Sequence, residues 1–376
     1  MTANGLLGFF STFGLLTWKH LLMIAVGGVL IYLAIAKDYE PVLLLPIGFA
    51  AILANLPLTG ITDPAENGLL AILFDAGIRN ELFPLLIFIG IGAMIDFGPL
   101  LERPGMALLG AAGQIGIFGA LLFALTLGFD LNEAASIGII GAIDGPTAIY
   151  VSAKLAPHLL GPVAVAAYSY MSLVPIIQPP IMRLMTTRAE RQVKMPYTER
   201  TVTKTVRVLF PILVTVLVSL LSPQASPLIA SLMFGNLMRE SGVVERLSRS
   251  AQNEIANVTT IFLGLAIGGT MSGELFIRGE SLLILGIGLL AFVLDTAGGV
   301  LFGKLLYLLS GKRFNPLIGA AGISAFPMSA RIVQRVGQEA DYENFLLMHA
   351  MGANTAGQLG SVVAGGVVLM LLSGGM

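Results

Sequence analysis

The 376-residue chain contains no cysteine, which excludes disulfides, thiolate metal sites and cysteine nucleophiles and leaves the redox compartment undecided. It has three histidines, at positions 20, 158 and 349, and their spacing fits no metal site. Charge is scarce: 11% of residues are Asp, Glu, Lys or Arg, against about 25% in an ordinary soluble domain. A net charge of −1 gives no electrostatic footprint for nucleic acid. No Walker A or dinucleotide fingerprint occurs, so the chain itself does not hydrolyse ATP. These deficits exclude a soluble enzyme with a solvated surface, a disordered chain and a coiled coil. What is abundant is apolar surface, at 56% of residues, together with 45 Gly and 19 Pro. That combination predicts an all-α polytopic membrane protein, because repeated apolar stretches of about 20 residues need lipid around them.

Apolar runs bounded by charge, Pro or Gly predict spans at 20–36, 42–56, 84–98, 106–128, 159–182, 206–222, 226–238, 256–272, 281–308 and 343–372. No basic region precedes the first apolar run, so residues 1–19 are expected to form an interfacial segment and not a cleaved signal peptide. Two further segments, 133–153 and 315–333, are apolar but interrupted by Gly, Pro and polar residues. Seven Lys or Arg lie from Arg183 to Arg207, which marks a basic 183–205 linker as cytoplasmic. If both interrupted segments are re-entrant, 17 of the 21 basic residues fall on that same side. Full crossings would scramble the asymmetry, so charge favours re-entrance.

The chain also repeats itself. Ile87-Phe88-Ile89-Gly90 recurs as Ile261-Phe262-Leu263-Gly264, Phe118-Gly119 as Phe302-Gly303, and Ile140-Gly141-Ala142 as Ile318-Gly319-Ala320. Val151-Ser152-Ala153-Lys154-Leu155 then answers to Met328-Ser329-Ala330-Arg331-Ile332. The shared order divides the membrane region into repeats at 20–182 and 206–376, each with about five spans and one broken element. An odd count inverts the second copy, and inverted repeats with broken helices are a secondary-transporter architecture.

The first broken element carries Asp144-Gly145-Pro146-Thr147. A carboxylate at mid-span costs about 2.5–3.5 kcal/mol on insertion scales, so it needs a cavity or a partner. Gly145 and Pro146 interrupt the helix and free backbone carbonyls, giving with Thr147 a hard oxygen site for Na⁺ or H⁺. The plainer reading of Asp144 is a helix cap. The second element offers Asn315 and Ser324 as oxygen donors and ends on Arg331, whose paired N–H groups suit a carboxylate. Arg331 equally suits a positive-inside anchor. Asn354, Thr355 and Gln358 are polar positions inside the last apolar span, flanked by small residues that let another backbone approach. Tyr170 is placed to relay a proton or simply to pack.

Several stretches carry a family resemblance over nearly the whole chain: Asp144-Gly145-Pro146-Thr147-Ala148-Ile149-Tyr150, Phe234-Gly235-Asn236-Leu237-Met238-Arg239-Glu240-Ser241-Gly242, Asn315 to Arg331, and Asn344 to Asn354. With them the sequence resembles the β subunits of the biotin-dependent, sodium-pumping decarboxylases that act on oxaloacetate, methylmalonyl-CoA and glutaconyl-CoA. The resemblance implies a carboxybiotin decarboxylase that exports Na⁺ and consumes a proton, on an elevator-like inverted-repeat fold in a bacterial-type inner membrane. It implies biotin carried by a partner and not attached to this chain, a soluble carboxyltransferase subunit with a biotin carrier, a small membrane subunit, and a homotrimer of this chain. It further implies Asp144, Asn315, Ser324, Asn354, Gly319 and Thr147 in the sodium region. Arg331, with Ser324 and Asn315, is implied at the carboxybiotin site, and Tyr170 on the proton path. From the residues alone, a Na⁺/H⁺ antiporter or a Na⁺-coupled carboxylate carrier remains open. Ala142-Ile143 stand where the family pattern is richer in Gly, which predicts less unwinding before Asp144. The short 57–83 loop favours the acyl-CoA members.

Overall fold

The computed structural model describes residues 14–196 and 201–372, so the greater part of the expected N-terminal segment and the middle of the basic linker lie outside the described residues. The regular structure described is helical throughout. The helices that matter here are α1 (Trp18–Lys37), α2 (Pro41–Ala54), α3 (Leu82–Met94), α4 (Ala107–Ala112), α5 (Ile115–Thr126), α6 (Leu131–Gly138) and α7 (Gly145–Leu155). They continue as α8 (Leu160–Met185), α9 (Lys204–Leu221), α10 (Ser226–Ser241), α11 (Ala256–Gly269), α12 (Gly279–Leu309), α13 (Met328–Ala340) and α14 (Leu347–Leu372). Among the described residues six stretches are long and apolar enough to cross a membrane: α1, Pro104–Thr126, Pro157–Met185, α9, α12 and α14; α2 and α3 are shorter apolar helices. The chain is a multi-pass membrane protein.

Local chemistry sets the helix ends. Thr17 caps α1 and Asp130 caps α6, each within a reciprocal capping box. Thr203 caps α9, and Gly242 in the left-handed region closes α10. The last helix starts at Leu347, four residues later than its apolar run suggests. The Gln334 side chain accepts hydrogen bonds from the Leu346 and Leu347 amides at 2.6 and 2.8 Å, holding the preceding turn outside the helix. Along α9 the one buried residue is Pro211, so its leucines point away from the rest of the chain.

The chain divides into two compact units, and each draws on both halves of the sequence. The smaller joins the described residues up to Phe83 with Asn257–Leu285. Asn55 ties it together: its Nδ2 donates to the Met271 carbonyl at 2.8 Å and its Oδ1 accepts from the Gly273 amide at 2.7 Å. The larger comprises Pro84–Ala256 and Gly286–Met376. Within it Asn236 donates to the Ile95 carbonyl at 2.9 Å and Arg239 to the Met94 carbonyl at 3.1 Å, so the Phe234–Gly242 motif binds α10 to the end of α3.

Both interrupted segments are broken in the larger unit. After α6 the chain tightens into a 3₁₀ turn, Ile139–Ala142, then places Ile143 at φ 52° and Asp144 in extended backbone before α7 begins. The left-handed conformation costs a β-branched residue about 1–3 kcal/mol. The chain leaves the helix at Ile143 without an added glycine. The second segment runs as a 3₁₀ helix, Pro316–Gly322, then as extended chain through Ile323, reaching α13 after a cis peptide between Phe326 and Pro327. The two breaks meet where the Ser324 amide donates to the Ala142 carbonyl at 3.4 Å.

This meeting needs backbones closer than side chains allow. A Cβ on Gly319 would stand 1.9 Å from the Gly299 carbonyl oxygen, and one on Gly322 would stand 2.2 Å from that of Leu109. Gly319→Ala should therefore destabilise the protein by about 1–3 kcal/mol through overpacking. Gly286→Ala, whose methyl meets nothing within 4 Å, should be neutral or gain up to about 1 kcal/mol from helix propensity. Thermal unfolding in detergent compares the two, and equal melting temperatures would contradict the packing.

Candidate functional site

Asp144 lies at the first break with 3% of its surface exposed. One oxygen, Oδ1, accepts the Thr147 amide at 3.4 Å, so the carboxylate does cap α7. The other, Oδ2, accepts from the Thr147 hydroxyl at 2.8 Å, the Gln358 amide at 2.9 Å and the Ser361 hydroxyl at 2.7 Å. Among the described residues no Lys, Arg or His forms an ion pair with it. Neutral dipoles orient a carboxylate but leave its charge in place, and an isolated buried charge is costly. A cation or a proton is the missing partner.

The last helix supplies a stripe of polar groups facing both breaks. Asn354, Gln358 and Ser361 stand at i, i+4 and i+7, one face over two turns. Asn354 Nδ2 donates to the Ile323 carbonyl at 2.7 Å, while its Oδ1 is buried with no hydrogen-bond partner. Ser324 donates to the Gly357 carbonyl at 3.0 Å. One turn, about 6 Å of rise, separates Asn354 from Gln358. The stripe therefore carries an unpartnered amide oxygen one turn from the buried carboxylate, beside the two backbone breaks. Hard oxygen donors of this kind suit a small monovalent cation.

The remaining expected residues are dispersed. Thr147 belongs to the Asp144 cluster, and Ser324 and Asn354 belong to the adjoining break. Gly319 serves the close approach to Gly299. Asn315 is engaged elsewhere: its Oδ1 accepts the Leu317 amide at 3.0 Å and its Nδ2 donates to the Arg191 and Val193 carbonyls, both at 2.9 Å. Asn344 donates to the same two carbonyls, so two asparagines clamp the linker over the end of the second broken element. The Tyr170 ring packs against Gly288 on α12. Arg331 lies exposed in the first turn of α13, and its guanidinium makes no ion pair or hydrogen bond among the described residues. On the same helix Arg335 donates to the Pro175 carbonyl and Glu339 pairs with Arg183 at 2.7 Å.

Some participants were not singled out from sequence. Ser361 was signalled by its i+3 spacing from Gln358 within an apolar helix. Tyr168 lies with its ring over Gly145, where a Cβ would stand 2.3 Å from the ring, and its buried hydroxyl has no partner. Gln178 and Ser329 both donate to the Ala320 carbonyl, at 2.7 and 3.0 Å, and had no local signature.

Asp144→Asn keeps an oxygen for the Thr147 amide and a good capping residue, so the protein should still fold. Removal of the charge should abolish saturable binding of radioactive sodium to the purified protein. Ser361→Ala, which loses one hydrogen bond to a charged group worth about 1.5–3 kcal/mol, should weaken that binding by about tenfold or more. Unchanged binding in Asp144→Asn would remove this carboxylate from the site.

Comparison with known proteins carries the same geometry into a family. Residues 19–372 match the family described as the Na⁺-transporting oxaloacetate decarboxylase beta subunit. The chain is 55% identical over 365 residues to the glutaconyl-CoA decarboxylase subunit beta of Acidaminococcus fermentans, covering 97% of this chain and 96% of that one. It is 55% identical over 357 residues to the methylmalonyl-CoA decarboxylase subunit beta of Veillonella parvula, covering 95% and 94%. It is 48% identical over 407 aligned positions to the oxaloacetate decarboxylase beta chain of Klebsiella pneumoniae, covering 93% and 94%. Similar to these relatives from end to end, the chain belongs to the family of Na⁺-transporting decarboxylase beta subunits.

Proposed function

We propose that this chain decarboxylates carboxybiotin brought by a soluble partner and couples the step to Na⁺ export. The observation that carries the reading is Asp144: a buried carboxylate at a double backbone break, held by three neutral side-chain donors and, among the described residues, by no cationic one. Na⁺ is the cargo that neutralises it, with Asn354 Oδ1 and the carbonyls of the breaks as further oxygen ligands. Decarboxylation cleaves the bond between the ureido nitrogen and the carboxyl carbon. CO₂ leaves, the electron pair stays on nitrogen, and that nitrogen takes one proton, so each turnover consumes a proton.

Arg331 receives the carboxylate of carboxybiotin. Its guanidinium presents two parallel N–H donors to two oxygens, and the neighbouring basic residues Arg335 and Arg183 already hold partners. The proposed architecture is a pair of inverted repeats moving as an elevator. Equivalent packing in the two halves supports it: Gly138 lies against the Ile117 carbonyl and Leu121, and Pro316 lies against Gly303. The division into units that each combine segments from both halves supports it too. The proposed setting is the inner membrane with the basic linker cytoplasmic. The proposed assembly is a trimer of this chain with a small membrane subunit, a carboxyltransferase and a biotin carrier. Identities of 55% to acyl-CoA decarboxylase subunits and 48% to an oxaloacetate decarboxylase chain favour an acyl-CoA parent substrate, as does the short 57–83 loop. A Na⁺/H⁺ antiporter or carboxylate carrier satisfies the same ion site, and the family favours the decarboxylase.

The test is sodium uptake by inside-out vesicles carrying the complete complex, driven by the decarboxylase substrate. Avidin should stop uptake. Arg331→Ala should lose most of it, and Arg331→Lys should retain a part, because Lys keeps the charge but not the paired geometry. Uptake indifferent to avidin would contradict the carboxybiotin step. Equal rates for wild type and Arg331→Lys would make Arg331 an anchor, since Lys serves the positive-inside rule as well.

A further inference from the structure

The larger unit buries a second carboxylate that the sodium site does not use. Asp295, in the middle of α12, has none of its surface exposed. One oxygen, Oδ1, accepts the Gly116 amide. This amide lies in the first turn of α5, just after the membrane stretch Pro104–Thr126 is interrupted at Gly113-Gln114, so the carboxylate occupies a helix N-terminus inside the membrane region. The other oxygen, Oδ2, is buried without a hydrogen-bond partner. It is aimed at the first broken element: a Cβ on Gly141 would stand 2.7 Å from it. Gly141 lies three residues before Asp144.

A helix cap explains Oδ1 but not the acid, since Asn would accept the same amide without charge. An ionisable residue deep in a membrane segment is a functional candidate by its cost alone. The surroundings decide which cation it takes. The three atoms nearest to a Cβ at Gly141 would be Oδ2, the Ala291 methyl and the Ile117 amide nitrogen, of which one is an oxygen. No side chain among the described residues donates a hydrogen bond to Oδ2, in contrast to the three that hold Asp144. A sodium ion needs several oxygens, whereas a proton needs one.

Resting on the pumping reading above, we propose that Asp295 is a proton-holding residue of the cycle, carrying H⁺ on Oδ2 beside the first break while Asp144 carries Na⁺. Both protonation states have a home. The anion is stabilised by the Gly116 amide and the positive end of α5. The acid removes the charge from an apolar enclosure. Asp295 takes up a proton, O–H forming at Oδ2, and gives it up when a ureido nitrogen has lost CO₂ and needs one. The titratable groups on the elements around it are few. Residues 107–126 carry none, the first broken element contributes Asp144, with Glu133, Tyr150 and Lys154 towards its ends, α8 brings Tyr168 and Tyr170, and α12 itself adds Glu280, Lys304 and Tyr307.

The proposal is tested on the complete complex. Asp295→Asn preserves the volume and the acceptor for the Gly116 amide, so it should assemble with an unchanged half-saturating Na⁺ concentration. Its turnover should fall by about 100-fold, the contribution of a positioned proton donor, and should no longer decline as pH rises in the range where wild type does. Wild-type turnover with a wild-type pH profile would reduce Asp295 to a cap and overturn the proposal. So would a loss confined to Na⁺ affinity. A second measurement needs no variant: a hydrophobic carbodiimide, which reacts with protonated carboxyls in apolar sites, should label Asp295 in wild type, located by peptide mass spectrometry. Na⁺ should protect Asp144 from the reagent but leave Asp295 reactive. Absence of label at Asp295 across the acidic range would overturn the proposal, and that result is independent of whether the complex decarboxylates anything.

Discussion

A carboxylate cannot stay ionised and uncompensated in a membrane-enclosed interior, and the arrangement around Asp144 follows from that constraint. Thr147, Gln358 and Ser361 each give it a hydrogen bond, which fixes its direction and leaves its charge. Had a Lys or Arg been placed there, the charge would be permanently satisfied and the site closed to an exchangeable ion. Neutral donors keep it open. The break in the backbone serves the same end, because a continuous helix has no carbonyls to offer, and here the chain unwinds through Ala142, Ile143 and Asp144 beside a second unwound stretch at Ile323 and Ser324.

Bringing two broken backbones together removes room for side chains, and glycine is the residue that permits it. Gly299 with Gly319, and Gly322 with the α4 backbone, place main chain directly on main chain. In a lipid setting such contacts provide packing that the hydrophobic effect does not supply between helices. The linker clamp of Asn315 and Asn344 holds the outer end of the same element. The Asp144 cluster, the two breaks and the linker are thus one connected structure within the larger unit.

Much of this was legible in the sequence, and for identifiable reasons. Spans are readable because lipid imposes length and apolarity. The two broken segments were visible because Gly145-Pro146 and Asn315-Pro316 cannot continue a helix, and Asp144 because a lone carboxylate in an apolar run is rarely incidental. The stripe on α14 was read in part: Asn354 and Gln358 stood out, while Ser361 looked like one more small residue. What could not be read depends on contacts between segments far apart in the chain. Asn315 looked like a ligand from its place in the broken element, yet its side chain is occupied by linker carbonyls about 120 residues away. Asp295, a lone carboxylate in the 281–308 run, carried the same signal without a Gly-Pro break beside it, and its contacts with Gly116 and Gly141 belong to the other half of the chain. The left-handed Ile143 ran against local preference, which is where tertiary packing overrides propensity.

The central claim is that Na⁺ binds at the carboxylate where the two breaks meet. A high-resolution electron cryomicroscopy map of the assembled complex in sodium, compared with one in a bulky organic cation, tests it directly. The account predicts density in the sodium map in bonding contact with an Asp144 carboxylate oxygen and Asn354 Oδ1, lost in the organic cation. Sodium-dependent density elsewhere in the larger unit, with the Asp144 cluster unchanged between the two maps, would contradict it.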